Sequence, residues 1–339
     1  MTCPTGNDVA YAARLLREGR LVSFATETVY GLGANALDVN AVARVFAVKN
    51  RPYFDPLIVH IAERSWLPKL VTSWPKTAEQ LAAAFWPGPL TLVLPKTALV
   101  PDLVTSGLPC VAVRMPSHPL ALELLRLADV PVAAPSANPF GQLSPTCAEH
   151  VADRLGDQLD YLLDGGPCAV GVESTVLMLE PDESVRLLRP GGVALEEIEA
   201  LIGPLRHPAP ATSASDKSAP SPGMLPQHYA PRTPLVIADE IAKWPRADRC
   251  GLLTLQPHPS AARFAAAEVL SSSGNLTEAA AHFFAALRRL DATQVERIIA
   301  EPFPNRGLGV ALNDRLTRAA HDFPGQATTS EPPKNGLAQ

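Results

Sequence analysis

Residues 204–226 read PLRHPAPATSASDKSAPSPGMLP, and this stretch divides the chain. Pro, Ala and Ser supply 14 of its 23 residues, a composition that favours an extended linker over a packed element. The 339 residues leave room on either side for domains of the usual ~100–200 residues. The expected organisation is a first domain over 1–205, a linker over 206–232, a smaller domain over 233–322 and a disordered tail over 323–339.

Before the linker, strand and helix patterns alternate. Helical spacing is predicted over 7–18, 40–49 (capped by Asn40), 76–85, 120–128 and 147–155. Short apolar strands are predicted over 21–25, 57–61, 90–94, 111–114, 130–134, 161–163 and 174–179. Such alternation predicts an α/β domain. Several connections are too short for helical crossovers, so the sheet should be mixed. After the linker, strands over 235–238, 250–255 and 295–300 combine with helices over 276–290 and 309–320. The last helix places Asn313, Arg315 and Arg318 on its polar side. This second unit reads as a small Rossmann-like α/β fold.

Hydrophobic residues make up 47% of the chain, enough to bury a core and to exclude wholesale disorder. The net charge of -5 argues against a broadly basic nucleic-acid coat, though a local basic pocket stays open. Proline, 35 residues, is roughly twice its usual share and argues against long coiled coils. The five cysteines are odd in number, widely spaced and without a C-x-x-C, so free thiols in a reducing compartment are expected. The N-terminal residues lack a signal-peptide pattern, and no apolar run approaches the ~18 residues of a membrane span. A soluble, cytoplasmic protein is expected.

Gly31-Leu32-Gly33-Ala34-Asn35-Ala36 fits a dinucleotide fingerprint, with Asp55 some way beyond. Polar Thr26-Glu27-Thr28 precedes it, and the next helix starts late, so the match is weak. Walker A, H-E-x-x-H and G-x-S-x-G motifs are absent. Lys49-Asn50-Arg51-Pro52 ends a helix. Two cations on one turn suit a polyphosphate, and they equally suit a solvated helix terminus. Ser136-Ala137-Asn138 and Glu173-Ser174-Thr175 border strands, where hydroxyl and amide groups can meet a ligand or merely make turns. Arg114 ends a strand and suits a carboxylate. His60 also sits in a strand, where a lone histidine is more often structural.

Together these segments closely resemble the Sua5/YrdC family of threonylcarbamoyl-AMP synthases. The carrying segments are Phe24 to Leu32, Lys49-Asn50-Arg51-Pro52 with Pro56-Leu57 and His60, Val111 to Pro116, Pro135 to Asn138, Gly171 to Val176, and Leu188-Arg189-Pro190-Gly191. The Ser221-Pro222-Gly223-Met224 and His228-Tyr229-Ala230-Pro231 elements, with the extra domain, resemble the longer Sua5-type members. The resemblance implies a twisted, mixed-sheet YrdC-like domain and a smaller Rossmann-like domain. It implies that L-threonine, bicarbonate and ATP, with Mg²⁺, give threonylcarbamoyl-AMP and pyrophosphate. The product would pass to the machinery that modifies adenosine 37 of tRNA, and direct tRNA binding stays open.

By the same resemblance Lys49 and Arg51 face the triphosphate as the catalytic cations. Asp55, Cys110, Ser136, Ser144 and Arg189 fall on further ATP-contacting positions. Thr28, His60, Arg114, Ala134 and Ser174 fall on threonine-contacting positions, and no resident metal site is implied. Tyr229 would close over the nucleotide as part of a lid. The sequence departs from the family pattern at Ala25 (usually Pro), Asn50 (usually Gly) and Asp55 (commonly Asn or Ser). An acid at 55 repels phosphate unless it faces the ribose, the base or a metal. Two other classes compete with this reading. A non-catalytic RNA-binding module fits poorly with the negative charge. A carbamoyl-transfer maturation enzyme would carry Cys-rich zinc motifs, which are absent.

Overall fold

The computed structural model describes residues 3–207 and 229–320. The linker motif as far as His228, and the expected tail at 323–339, lie outside the described residues. Among the described residues, the first unit contributes β1 (Thr5–Gly6), β2 (Val22–Phe24), β3 (Gly31–Asn35), β4 (Ile58–His60), β5 (Leu90–Pro95), β6 (Cys110–Arg114), β7 (Val132–Ala133), β8 (Tyr161–Leu163), β9 (Thr175–Leu179) and β10 (Val185–Arg189). They form one sheet in the order β1-β8-β2-β3-β7-β4-β6-β5-β9-β10. The sheet is mixed: β4 pairs β6 and β5 pairs β9 in parallel, whereas β2–β3, β3–β7 and β5–β6 are antiparallel.

The second unit has β11 (Leu235–Ile237), β12 (Cys250–Thr254), β13 (Ala266–Val269) and β14 (Arg297–Ala300). Their order is β11-β14-β12-β13, with every pairing parallel. Helices Leu276–Ala292 and Leu308–Ala319 pack their apolar sides on this sheet through Phe283, Leu287, Leu312 and Leu316.

Strand alternation decides which side chains reach the cleft. Val59 and Val113 point into the main core, with Leu92, Leu177, Val42 and Phe46. Their neighbours His60 and Arg114 therefore point the other way, and they are register partners on parallel strands. Helices Val9–Arg17 and Pro119–Ala128 cover one end of that face, packing Leu16 and Leu124 on Val22, Phe24 and Leu163. The remainder of the face stays open as a cleft.

Four readings from sequence change. Asp38, not Asn40, caps helix Val39–Lys49, accepting from the Asn40 and Ala41 amides at 2.9 and 3.2 Å. The glycines at 31 and 33 lie within a strand rather than a phosphate loop. A Cβ on Gly33 would stand 2.8 Å from the Phe24 ring and 3.1 Å from the Val22 carbonyl oxygen, so glycine is what lets β3 lie against β2. β10 and helix Leu195–Ile202 have no counterpart among the predicted elements. Arg315 is fully buried instead of lying on a polar surface.

The two units share a core. Val29, Leu143 and Val172 of the first pack with Tyr229, Phe284, Ala280 and Leu287. Gly171 makes this approach possible. Its φ is +76°, and a Cβ there would fall 2.3 Å from the Ala280 carbonyl oxygen.

Candidate active site

Nine of the expected site residues line one cleft: Thr28, Arg51, His60, Arg114, Ala134, Ser136, Ser174, Arg189 and Tyr229. They come from segments far apart in sequence. The ends of β4, β6 and β10, the start of β9 and the loop after β7 bring them together. Lys49, Asp55, Cys110 and Ser144 are not among the lining residues.

At one end, Arg114 is locked in place. Its Nη1 donates to Thr28 Oγ1 at 2.9 Å, and its Nη2 pairs with Glu27 Oε1 at 2.6 Å. Thr28 lies 2.8 Å from Thr26 Oγ1, whose hydroxyl donates to the Val29 carbonyl at 2.7 Å. The polar run Thr26-Glu27-Thr28 thus builds the seat for a guanidinium. Ser174 Oγ meets Thr91 Oγ1 at 2.7 Å, and Thr91 is the register partner of Arg114 on β5. This end offers a fixed cation and hydroxyls, a chemistry that suits a hydroxy amino acid.

His60 forms the floor here, buried, with its ring edge-on to Phe24 at 6.3 Å. Burial, with Arg114 adding to it, pushes its pKa down to about 3. His60 is therefore neutral at pH 7. Unfolding returns it toward the ordinary value of 6.5, so between about 3 and 6.5 the unfolded chain binds the extra proton and acid destabilises the fold. His150, pushed down to about 4 by burial and then Arg288, adds in the same direction. Each group contributes up to about 1.4 kcal/mol per pH unit inside its window. His60→Gln should therefore flatten the loss of stability between about pH 6 and 4.5, read by urea unfolding at each pH. An unchanged slope would show that His60 is already charged in the fold.

At the other end, Lys49 and Arg51 flank the left-handed turn at Asn50, whose φ is 50°. Asn tolerates this conformation better than other non-glycine residues, so the replaced glycine leaves the turn intact. The two cations are held differently. The Lys49 ammonium is buried and donates to the Ser136 and Asn138 carbonyls, pinning the loop that carries Ser136. Burial and then Arg51 lower its pKa well below the usual range. Arg51 donates to the Asp55 and Pro56 carbonyls at 2.9 and 2.8 Å and pairs with the Asp55 carboxylate at 2.8 Å. Asp55 is fully buried behind that guanidinium. Its carboxylate faces Arg51, an alternative to the ribose, base or metal that the sequence had suggested. Phe140 sits 6.0 Å from the Arg51 guanidinium.

The third wall comes from both units. Arg189 donates to the Ser174 carbonyl at 3.1 Å. Ser144 Oγ donates to Glu173 Oε1 at 2.5 Å, and Arg315 of the second unit donates to Glu173 Oε2 at 2.8 Å. Tyr229, fully buried with φ 64°, stacks on Phe284 with ring centres 5.7 Å apart. Three acid–arginine pairs therefore border the cleft: Glu27–Arg114, Asp55–Arg51 and Glu173–Arg315. Glu27, Glu173 and Arg315 had no assigned site role from sequence. Only the position of Glu27 and Glu173 inside the motifs signalled them.

Comparison with known proteins gives a consistent result. The Sua5/YciO/YrdC family model, described as telomere recombination, matches residues 14–191. A model described as threonylcarbamoyl-AMP synthase, C-terminal domain, matches residues 193–321. The threonylcarbamoyl-AMP synthase of Pyrococcus abyssi is 45% identical over 326 residues, covering 92% of this chain and 94% of the relative. That of Bacillus subtilis is 46% identical over 325 residues, covering 92% of each. The crystal structure of Pyrococcus abyssi Sua5 complexed with L-threonine superposes with a TM-score of 0.86 at 42% identity, covering 94% of this chain and 98% of that one.

Proposed function

The chain belongs to the Sua5/YrdC family of threonylcarbamoyl-AMP synthases, and from that premise we infer that it condenses L-threonine, bicarbonate and ATP into threonylcarbamoyl-AMP and pyrophosphate. The observation that carries this reading is the convergence of the motif residues on one cleft, with a locked arginine at one end and a cation turn at the other. The reaction is a nucleotidyl transfer. Threonine and bicarbonate form a carbamate with loss of water, a carbamate oxygen attacks the α-phosphorus of ATP, and pyrophosphate leaves.

No protein nucleophile is needed, so the residues position groups and stabilise charge. Arg114 takes the threonine carboxylate while Thr28 and Ser174 present hydroxyls. Neutral His60 and the Ala134 main chain bound the side-chain pocket. Arg51 and Arg189 face the phosphates, and Ser136 sits beside them. Lys49, Asp55 and Ser144 act from behind the surface: Lys49 through the Ser136 loop, Asp55 through Arg51, and Ser144 through Glu173. Cys110 contributes at most a main-chain contact.

The acids nearest the phosphate end, Asp55 and Glu173, are committed to arginines. Mg²⁺ therefore fits as part of the incoming ATP complex, held by the phosphates. The adenylate would be handed to a tRNA-modifying transferase, and a cytoplasmic location would accord with that hand-over. No helix among the described residues is long and apolar enough to cross a membrane.

The test is pyrophosphate release with Mg²⁺ and ATP. It should require both threonine and bicarbonate and should yield an adenylate. Cleavage of ATP to ADP and phosphate would refute the reading.

A further inference from the structure

Arg315 carries a charge, belongs to the second unit and is wholly buried. Its Nε donates to Glu173 Oε2 at 2.8 Å, and its Nη1 donates to Asp314 Oδ2 at 2.5 Å. Its guanidinium carbon lies 4.9 Å from the centre of the Tyr229 ring. Glu173 and Tyr229 both line the cleft, and the other Glu173 oxygen accepts from Ser144. A plain strap between the units could be apolar, as it is at Val29, Val172 and Phe284. The charged contact is made instead to residues at the cleft wall. Burying a guanidinium is costly unless carboxylates and an aromatic face offset it: Glu173 takes Nε, Asp314 takes Nη1 and the Tyr229 ring covers the face, while Nη2 has no hydrogen-bond partner among the described residues.

We propose that Arg315 is a positioning residue for the synthase reaction: from the second unit it fixes Glu173 and Tyr229 in the arrangement that receives the nucleotide. The proposal rests on the synthase reading given above. Arg315 would touch no substrate. It acts through Glu173, which holds Ser144, and through the Tyr229 ring.

The charge state of Glu173 supplies a handle. The charged and titratable groups that face it are Arg315, Arg189, Lys49 and Tyr229, with Asp314 on the far side of Arg315. Burial alone would raise the Glu173 pKa. Arg315, Arg189 and the Ser144 hydroxyl overcome burial and hold it below its ordinary value. Without Arg315, Glu173 takes up a proton at higher pH. A protonated Glu173 has lost the charge that orders Ser144 and its neighbours.

The experiment uses full-length Arg315→Met, Arg315→Lys and the double variant Arg315→Met/Glu173→Gln. Pyrophosphate release is measured against ATP, threonine and pH. Arg315→Met should raise the KM for ATP at least ~10-fold and move that for threonine by less than about 2-fold. The acid limb of kcat/KM for ATP should move to higher pH, and the double variant should lose that shift. Arg315→Lys should recover part of the ATP effect, since it keeps the charge but not the fork. A lower melting temperature with unmoved ATP KM and pH profile would overturn the proposal, as would equal changes for both substrates. If Arg315→Met fails to fold, the lysine and double variants decide by the same criteria. Inactive wild-type protein would overturn the synthase reading itself, whereas an active wild type with unmoved variants overturns only the role of Arg315.

Discussion

Arg114→Ala should raise the threonine requirement far more than the ATP requirement. A buried charge-assisted pair lost on one side costs roughly 2–5 kcal/mol, on the order of 30-fold to several-thousand-fold in affinity. The guanidinium is aimed by Thr28 and Glu27, so its loss removes the carboxylate clamp without reaching the phosphate end. The alanine also leaves Glu27 buried without its cation, a second and separate penalty in stability. Arg114→Met with Glu27→Gln removes that orphaned charge while still lacking the clamp. The clamp assignment requires the double variant to regain stability and stay poor in threonine use. Equal effects on ATP and threonine would count against it.

The second large effect is expected at Tyr229. The ring is fully buried between Phe284 and the Arg315 guanidinium, and the residue lines the cleft. Tyr229→Ala removes contacts of a size that costs about 3–5 kcal/mol when a large aromatic is truncated in a core. Adenylate formation should fall at least ~10-fold. A chain ending at residue 206 lacks Tyr229, Phe284 and Arg315 together and should be impaired in the same direction. The two variants need to be compared with full-length protein for ATP affinity and turnover. A point variant with normal activity beside a failed truncation would show that the second unit acts by another route. Normal activity in both would reduce the linker to a tether.

The parts of the site that were legible in the sequence are those whose logic is local. Arg114 and His60 stand at strand ends, and their facing direction follows from Val113 and Val59 pointing inward. The Lys49-Asn50-Arg51 turn is visible because a proline follows it. What could not be read is who neutralises whom. Glu173 and Arg315 lie 142 residues apart, and Arg315 sits on an amphipathic helix where an arginine ordinarily faces water. Asp55 stood out as a departure, but its partner, four residues back across a turn, becomes evident only when both are seen buried. The fold shows the same division. Helix 76–85 and strand 161–163 were readable to the residue from periodicity. β10 was concealed by the arginines that give it its role, and β3 by glycines that serve close packing.

The shared core also sets an order of events at the ribosome. Val29, Leu143 and Val172 emerge well ahead of Phe284, and about 110 residues separate Val172 from that partner. At ~5–20 residues per second, the first unit waits roughly 5–20 s with these side chains uncovered. Until the later helix arrives, the nascent chain presents an apolar patch beside its own half-built catalytic cleft. The interval ends when synthesis delivers residues 276–292.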